Sequence, residues 1–213
     1  MGDRKAPSRE VRMQNRMEPP TSWDVKHTLR ETPNTLFLTV TRRGCSLLNS
    51  FAIENLFADA EPLATLPTDP ESNLDNYQGS ALVAEVPLMQ RIYKDMRIIL
   101  TKNLNKEIGF VNGMRAVVLS ASSKGIMVKT EQGRRIMVHP WTSPERVVHF
   151  PLRVGYASTL HKVQGATLPH ITLWLDVPNM AAAAYVALSR VEYDAHWRFF
   201  DDPTVHHFTP ARF

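Results

Sequence analysis

The sequence is poor in the residues that mark several common protein classes. Cysteine occurs once, at Cys45, which excludes an internal disulfide framework and suits a reducing, intracellular setting. No apolar run approaches the ~20 residues a helix needs to cross a bilayer, so no membrane partner is expected. The opening MGDRKAPSREVRMQ has no apolar core behind its charges and does not read as a secretory signal. Asp3 and Glu10 in that stretch argue against a transit peptide. The 8 histidines are scattered, and adjacent His206 and His207 lack a cysteine or carboxylate at ligand spacing. No metal site is expected. The 9 glycines never fall into G-x-x-x-x-G-K-[ST], the loop whose backbone amides cradle phosphates. Nor does any strand-like run end in an Asp-Glu pair able to hold Mg²⁺, since ITLWLDV carries Asp176 alone.

What is there is an ordinary globular composition, 43% hydrophobic and 22% charged over 213 residues. That length suits one well-buried domain, or one domain with a smaller insertion. The net charge of +4 is mild but unevenly spread. Residues 51–90 hold seven acids and no Lys or Arg, whereas 91–135 hold ten Lys or Arg against Asp95, Glu107 and Glu131. Such a block fits either a solvated face or a phosphate-contacting surface with the acidic stretch facing away.

Residues 1–34 show no clean period and hold four prolines, which reads as a tail or connector. LFLTV (36–40) reads as a buried strand. After a turn at Thr41–Gly44, apolar positions 47, 48, 51, 53, 56 and 57 follow a helical period. Residues 58–80, rich in Pro, Asp, Ser and Asn, read as loop or linker. MRIIL (96–100), MRAVVL (114–119), GIMVKT (125–130) and RRIMV (134–138) are short strand-like runs separated by turn residues. Asn112-Gly113 and Gln132-Gly133 between them suit tight hairpins. From Arg153 strands and helices alternate again. RVGYAS (153–158) is a strand, 159–165 a turn entering a helix, ITLWLDV (171–177) a strand, AAAAYVALSR (181–190) a helix and HWRFF (196–200) a strand. Alternation of this kind implies a parallel sheet covered by helices. The expected fold is α/β: a lobe over 35–90 and 151–213, interrupted by a β-rich barrel at 91–150.

Two segments near the end carry the sharpest signal. FPLRVGYASTLHKVQGATL (150–168) and, about twenty residues on, YVALSR (185–190) resemble motifs V and VI of superfamily 1 DNA helicases of the RecD and PIF-one branch. LFLTVTRRGCSLLN resembles motif IV, and MRIILTKNLNKEIGFVNGMRAVV the strand and hairpin that open an inserted barrel. Together they cover about 36–50 and 86–200, in the right order.

The resemblance implies a RecA-like, P-loop NTPase-type second lobe with an inserted small β-barrel. It implies single-stranded DNA and ATP with Mg²⁺ as ligands, a partner lobe carrying the phosphate loop, and movement from 5′ to 3′. It makes Arg190 the catalytic arginine finger, a planar and always charged fork for a phosphate. It places Gln164 and Gly165 beside the nucleotide, and Thr159, His161 and Lys162 on DNA. Arg42 (or Arg43) in motif IV and Asn112 in the first hairpin are further candidate DNA contacts. Because the phosphate loop and the Mg²⁺-binding pair are missing, the chain alone is expected to be inactive. The alternative reading is a truncated, non-enzymatic protein that binds nucleic acid or a partner.

Overall fold

The computed structural model describes residues 19–177, 180–200, 203 and 205–210. The elements follow in the order α1 (Ser22–Glu31), β1 (Leu36–Thr39), α2 (Arg42–Leu56), β2 (Ala64–Thr68), β3 (Tyr77–Gln78), β4 (Ala81–Leu82) and β5 (Leu88–Ile92). Then come β6 (Arg97–Leu100), β7 (Arg115–Ser122), β8 (Gly125–Thr130), β9 (Arg135–Val138), β10 (Trp141–Thr142), β11 (Val148–His149) and β12 (Leu152–Val154). The chain closes with β13 (Ala157–Thr159), β14 (Ile171–Trp174), α3 (Ala183–Leu188) and β15 (Trp197–Phe199).

Four strands form a parallel sheet in the order β13-β1-β14-β15. Every residue of β1 and β14 is buried, because helical or looped segments cover both faces and no solvent face is left to impose alternation. One face packs Phe37 and Ala157 with Val25, Leu29 and Leu48 of α1 and α2. The other packs Leu36, Leu38 and Leu173 against Leu160, Val163 and the alanines of α3. The expected α/β lobe is present.

The β-rich insertion is an antiparallel sheet in the order β12-β6-β7-β8-β9, with a bulge in β7 between Val118 and Ser120. Among the described residues no ladder joins β9 to β12, so the expected barrel is an open five-stranded sheet. Its outer strand β12 lies beyond the expected limit at residue 150.

Three further expectations change. Residues 22–31, read as part of a tail, form α1, which a Thr21/Asp24 capping box starts and which buries Val25 and Leu29 against α2. Residues 1–18 of that tail lie outside the described residues. The loop expected at 58–80 holds β2, which pairs antiparallel with β5, and two short 3₁₀ turns. RVGYAS is not one strand. β12 pairs with β6 and β13 with β1, so the chain changes sheets at Gly155–Tyr156. A Cβ on Gly155 would lie 2.8 Å from the carbonyl carbon of Ile98, so this crossing needs glycine.

Arg97 fastens the two parts together. Its guanidinium lies 4.6 Å over the Tyr156 ring and donates to the carbonyls of Pro33 and Thr35. The Asn112-Gly113 turn is not a two-residue hairpin. It sits at the end of the 101–114 link, and of the pair only Gly113 has a positive φ, +88°. Gln132-Gly133 does join β8 to β9, again with positive φ at the glycine alone.

Candidate nucleic-acid and nucleotide site

Motif V begins where β13 ends. Leu160 and Val163 are three residues apart on a 3₁₀ turn and are both buried, so they share the inward face. His161 and Lys162 are therefore directed away from that inward face. Gln164 and Gly165 follow, both exposed. Gly165 has φ +81° and nothing within 4 Å of where a Cβ would sit, which leaves its backbone open to a ligand. Three residues later the chain is tied to motif VI: the Leu168 N–H donates to the carbonyl of Arg190 at 2.7 Å. Arg190, half-buried, folds its guanidinium back on its own helix end, with Nε 3.2 Å from the Val186 carbonyl and Nη2 2.7 Å from Ser189 Oγ. Gln164, Gly165 and Arg190 thus belong to one corner of the lobe.

Motif IV is built by a carboxylate from the neighbouring strand. Asp176, just beyond β14, accepts from the N–H groups of Val40 (2.8 Å) and Thr41 (3.1 Å) and from the Thr41 hydroxyl. Thr41 Oγ1 in turn caps α2 by accepting from the Gly44 N–H at 3.0 Å. Arg42 and Arg43 occupy the first turn of this 15-residue helix, and that turn contains no acid. Cations there oppose the helix dipole, and the Asp176 carboxylate held at this end offsets them.

Between α2, the β2–β5 arm and the β12–β13 crossing lies a cavity of about 220 Å³ lined by Arg42, Asn49, Glu71, Arg153, Thr159 and Lys162. Lys162 Nζ is 2.6 Å from Glu71 Oε2. Burial pushes the Glu71 carboxyl up, but the hydrogen bond and charge of Lys162, with Lys102 and Arg153, hold it below the usual carboxylate range. Arg153 donates to Ser158 Oγ at 3.2 Å. The Cys45 thiol, also at the cavity, is pushed up to about 11 by burial despite Arg153 and Lys162, so it is not a thiolate at neutral pH.

The structure therefore gathers Arg42, Thr159 and Lys162 around one cavity, with His161 exposed beside them. Asn112 is elsewhere, in the insertion, with its backbone N–H bound to Asn103 Oδ1 at 2.8 Å. Arg153 and Glu71 were missed: the first is hidden in an apolar strand, the second lies in the stretch expected to face away. Among the described residues no three His, Cys, Asp or Glu side chains gather to hold a metal, and Asp176 is already occupied. The described residues thus offer no ligand set for the Mg²⁺ that the resemblance assigns mainly to a lobe with the phosphate loop.

No protein-family model matches the chain. Among curated proteins it is 37% identical over 93 residues to the ATP-dependent DNA helicase Pif1 of Bdellovibrio bacteriovorus, covering 38% of this chain and 21% of that protein. It is 28% identical over 184 residues to human PIF1, covering 76% of this chain and 28% of the relative. A solved Pif1 helicase from Bacteroides in complex with ADP-AlF3 and ssDNA superposes with TM-score 0.62 at 20% identity, over 90% of this chain and 48% of that one. The chain resembles the Pif1-type helicases of superfamily 1 in both sequence and fold. A structure of Candida albicans Pif1 gives TM-score 0.57 at 18% identity, over 90% of this chain and 55% of that one. These likenesses show a RecA-like, P-loop NTPase-type fold and support a helicase-related function. The chain spans about a quarter of the length of these curated Pif1 relatives and about half of the solved chains.

Proposed function

We propose that this chain is the C-terminal motor lobe of an ATP-dependent DNA helicase. In this reading it supplies Arg190 to the nucleotide, and it supplies Arg42, Thr159, His161 and Lys162 to a single strand. The observation that carries the reading is the 2.7 Å bond from the Leu168 N–H to the Arg190 carbonyl. It ties the backbone at Arg190 to the motif V turn, so in this reading the nucleotide-facing and DNA-facing groups share one scaffold. The Bacteroides Pif1 complex holds ADP-AlF3 and ssDNA together, which supports assigning both ligands here.

The chemistry follows from the residue types. Phosphoryl transfer is accelerated mainly by positioned positive charge, and an arginine presented from the facing lobe is worth on the order of 10³-fold or more. Gln164 and the open backbone at Gly165 lie on the Arg190 side to hydrogen-bond phosphate or the attacking water. Thr159 and Lys162 offer short and cationic donors to the strand's phosphates. The phosphate loop and Mg²⁺ belong to a partner lobe, so the chain alone is expected to leave ATP intact in a phosphate-release assay with single-stranded DNA. Fused to an N-terminal lobe of a relative, it should turn ATP over. Arg190→Lys, which keeps charge but loses the fork, should then lower turnover about 10³-fold, roughly 4 kcal/mol. Turnover unchanged within a few-fold, with melting temperature sharply lowered, would make Arg190 structural and overturn the finger assignment, whereas a folded fusion that turns over no ATP would favour the non-enzymatic reading.

A further inference from the structure

The DNA-facing cations of this lobe are already partnered, and by one segment. Residues 69–86 form an arm that contains Asp69, Glu71, Asp75 and Glu85 and no Lys or Arg. Asn76, 1% exposed, organises it, donating to the carbonyls of Pro70 (2.9 Å) and Val86 (2.8 Å) and accepting from the Val86 N–H (3.0 Å). Asp69 fixes the near end by accepting from the Glu71 N–H at 2.9 Å, while its own N–H donates to the Leu152 carbonyl at 3.1 Å. So held, the arm reaches motifs IV and V at two points. Glu71 Oε2 is 2.6 Å from Lys162 Nζ, and the Arg42 guanidinium lies 4.2 Å over the Tyr77 ring.

We propose that the arm is a self-occupying latch in which the Glu71 carboxylate stands where a nucleic-acid phosphate would sit, so that a bound strand must displace it from Lys162. A carboxylate and a phosphate diester each present anionic oxygens to an ammonium and repel one another, so they compete for the Lys162 Nζ that Glu71 holds at 2.6 Å. Arg153 lines the same cavity, and its charge helps hold the Glu71 carboxyl ionised. It is therefore a further phosphate ligand once the arm moves. The latch weakens the grip on the strand, which favours repeated release. This inference rests on the assignment of Lys162 to DNA.

The test uses the full chain and a fluorescein-labelled oligothymidylate, with affinity read by anisotropy at several salt concentrations. Glu71→Gln is expected to tighten binding roughly two- to five-fold at low salt, the scale of an exposed ion pair. The slope of log K against log salt should steepen by about 0.7, one added phosphate contact. Glu71→Asp, which keeps the charge but draws the carboxylate back by one methylene, should tighten it in the same direction. Glu61→Gln, the same charge change at an exposed site outside the cavity, should change nothing. Equal tightening by Glu61→Gln would mean bulk charge and overturn the latch. If Glu71→Gln and Glu71→Asp leave affinity and slope unchanged while Lys162→Ala weakens binding, the latch fails and the DNA assignment stands. If Lys162→Ala and Arg153→Ala have no effect on a chain that still binds, the DNA assignment fails and takes the latch with it.

Discussion

Asp176 receives three hydrogen bonds, from two backbone N–H groups and a hydroxyl, all at the entry to α2. Its loss would strand donors at a part-buried junction, so Asp176→Ala should destabilise the fold by about 2–3 kcal/mol. A urea titration that leaves m unchanged while lowering the midpoint would show this. Arg190 is the opposite case. Its partners are its own helix carbonyl and the adjacent serine, so Arg190→Ala should move stability by ~0.5 kcal/mol or less. A melting temperature several degrees lower would contradict that. The sequence marked both residues, but only Arg190 for function. Asp176 read as an incomplete metal-binding end, because its partners are 135 and 136 residues away in the chain.

Among elements, the β12–β13 crossing is the one the fold depends on most sharply. Gly155→Ala would drive a methyl group against the Ile98 backbone, where nothing can rotate aside. A cost of about 2 kcal/mol or more is expected, as for other overpacked sites, and circular dichroism melts of the variant would measure it. Leu29→Ala, which removes the inner side chain of α1, should cost about 2–5 kcal/mol. A smaller loss would mean α1 docks only weakly. RVGYAS was legible as extended backbone because that is a local property. Its division between two sheets was not, since the same side chains suit either. α1 was illegible because only Val25 and Leu29 of its three apolar residues share the buried face, a weak stripe, and so short a helix is stabilised chiefly by docking.

For the whole molecule, stability should depend on pH in a defined window. Burial lowers the His149 pKa below its ordinary 6.5, with Lys102 adding to the effect and Asp69 and Glu85 opposing it. A histidine depressed in the folded state favours folding above about 6.5, and that contribution is lost as pH falls towards its folded value. Stability should therefore decline from pH 7.5 to 5.5, by up to about 1.4 kcal/mol per pH unit from this group. His170, lowered by burial and by Arg198 and His196, acts in the same direction. His149→Phe, which keeps a ring against Trp141, should flatten the decline in denaturant titrations at the two pH values. An unchanged slope would exclude His149 as its source.

The sequence by itself determined the local grammar: strands within 36–40 and 171–177, the helix after Thr41, the short strands of the insertion and the order of the motifs. These are legible because side-chain period and turn chemistry are fixed by near neighbours. Tertiary structure alone decided which sheet each strand joined, that the insertion sheet stays open, and that Lys162 meets Glu71 across 91 residues of chain. Such contacts depend on where separate elements dock, and no window of adjacent residues carries that information.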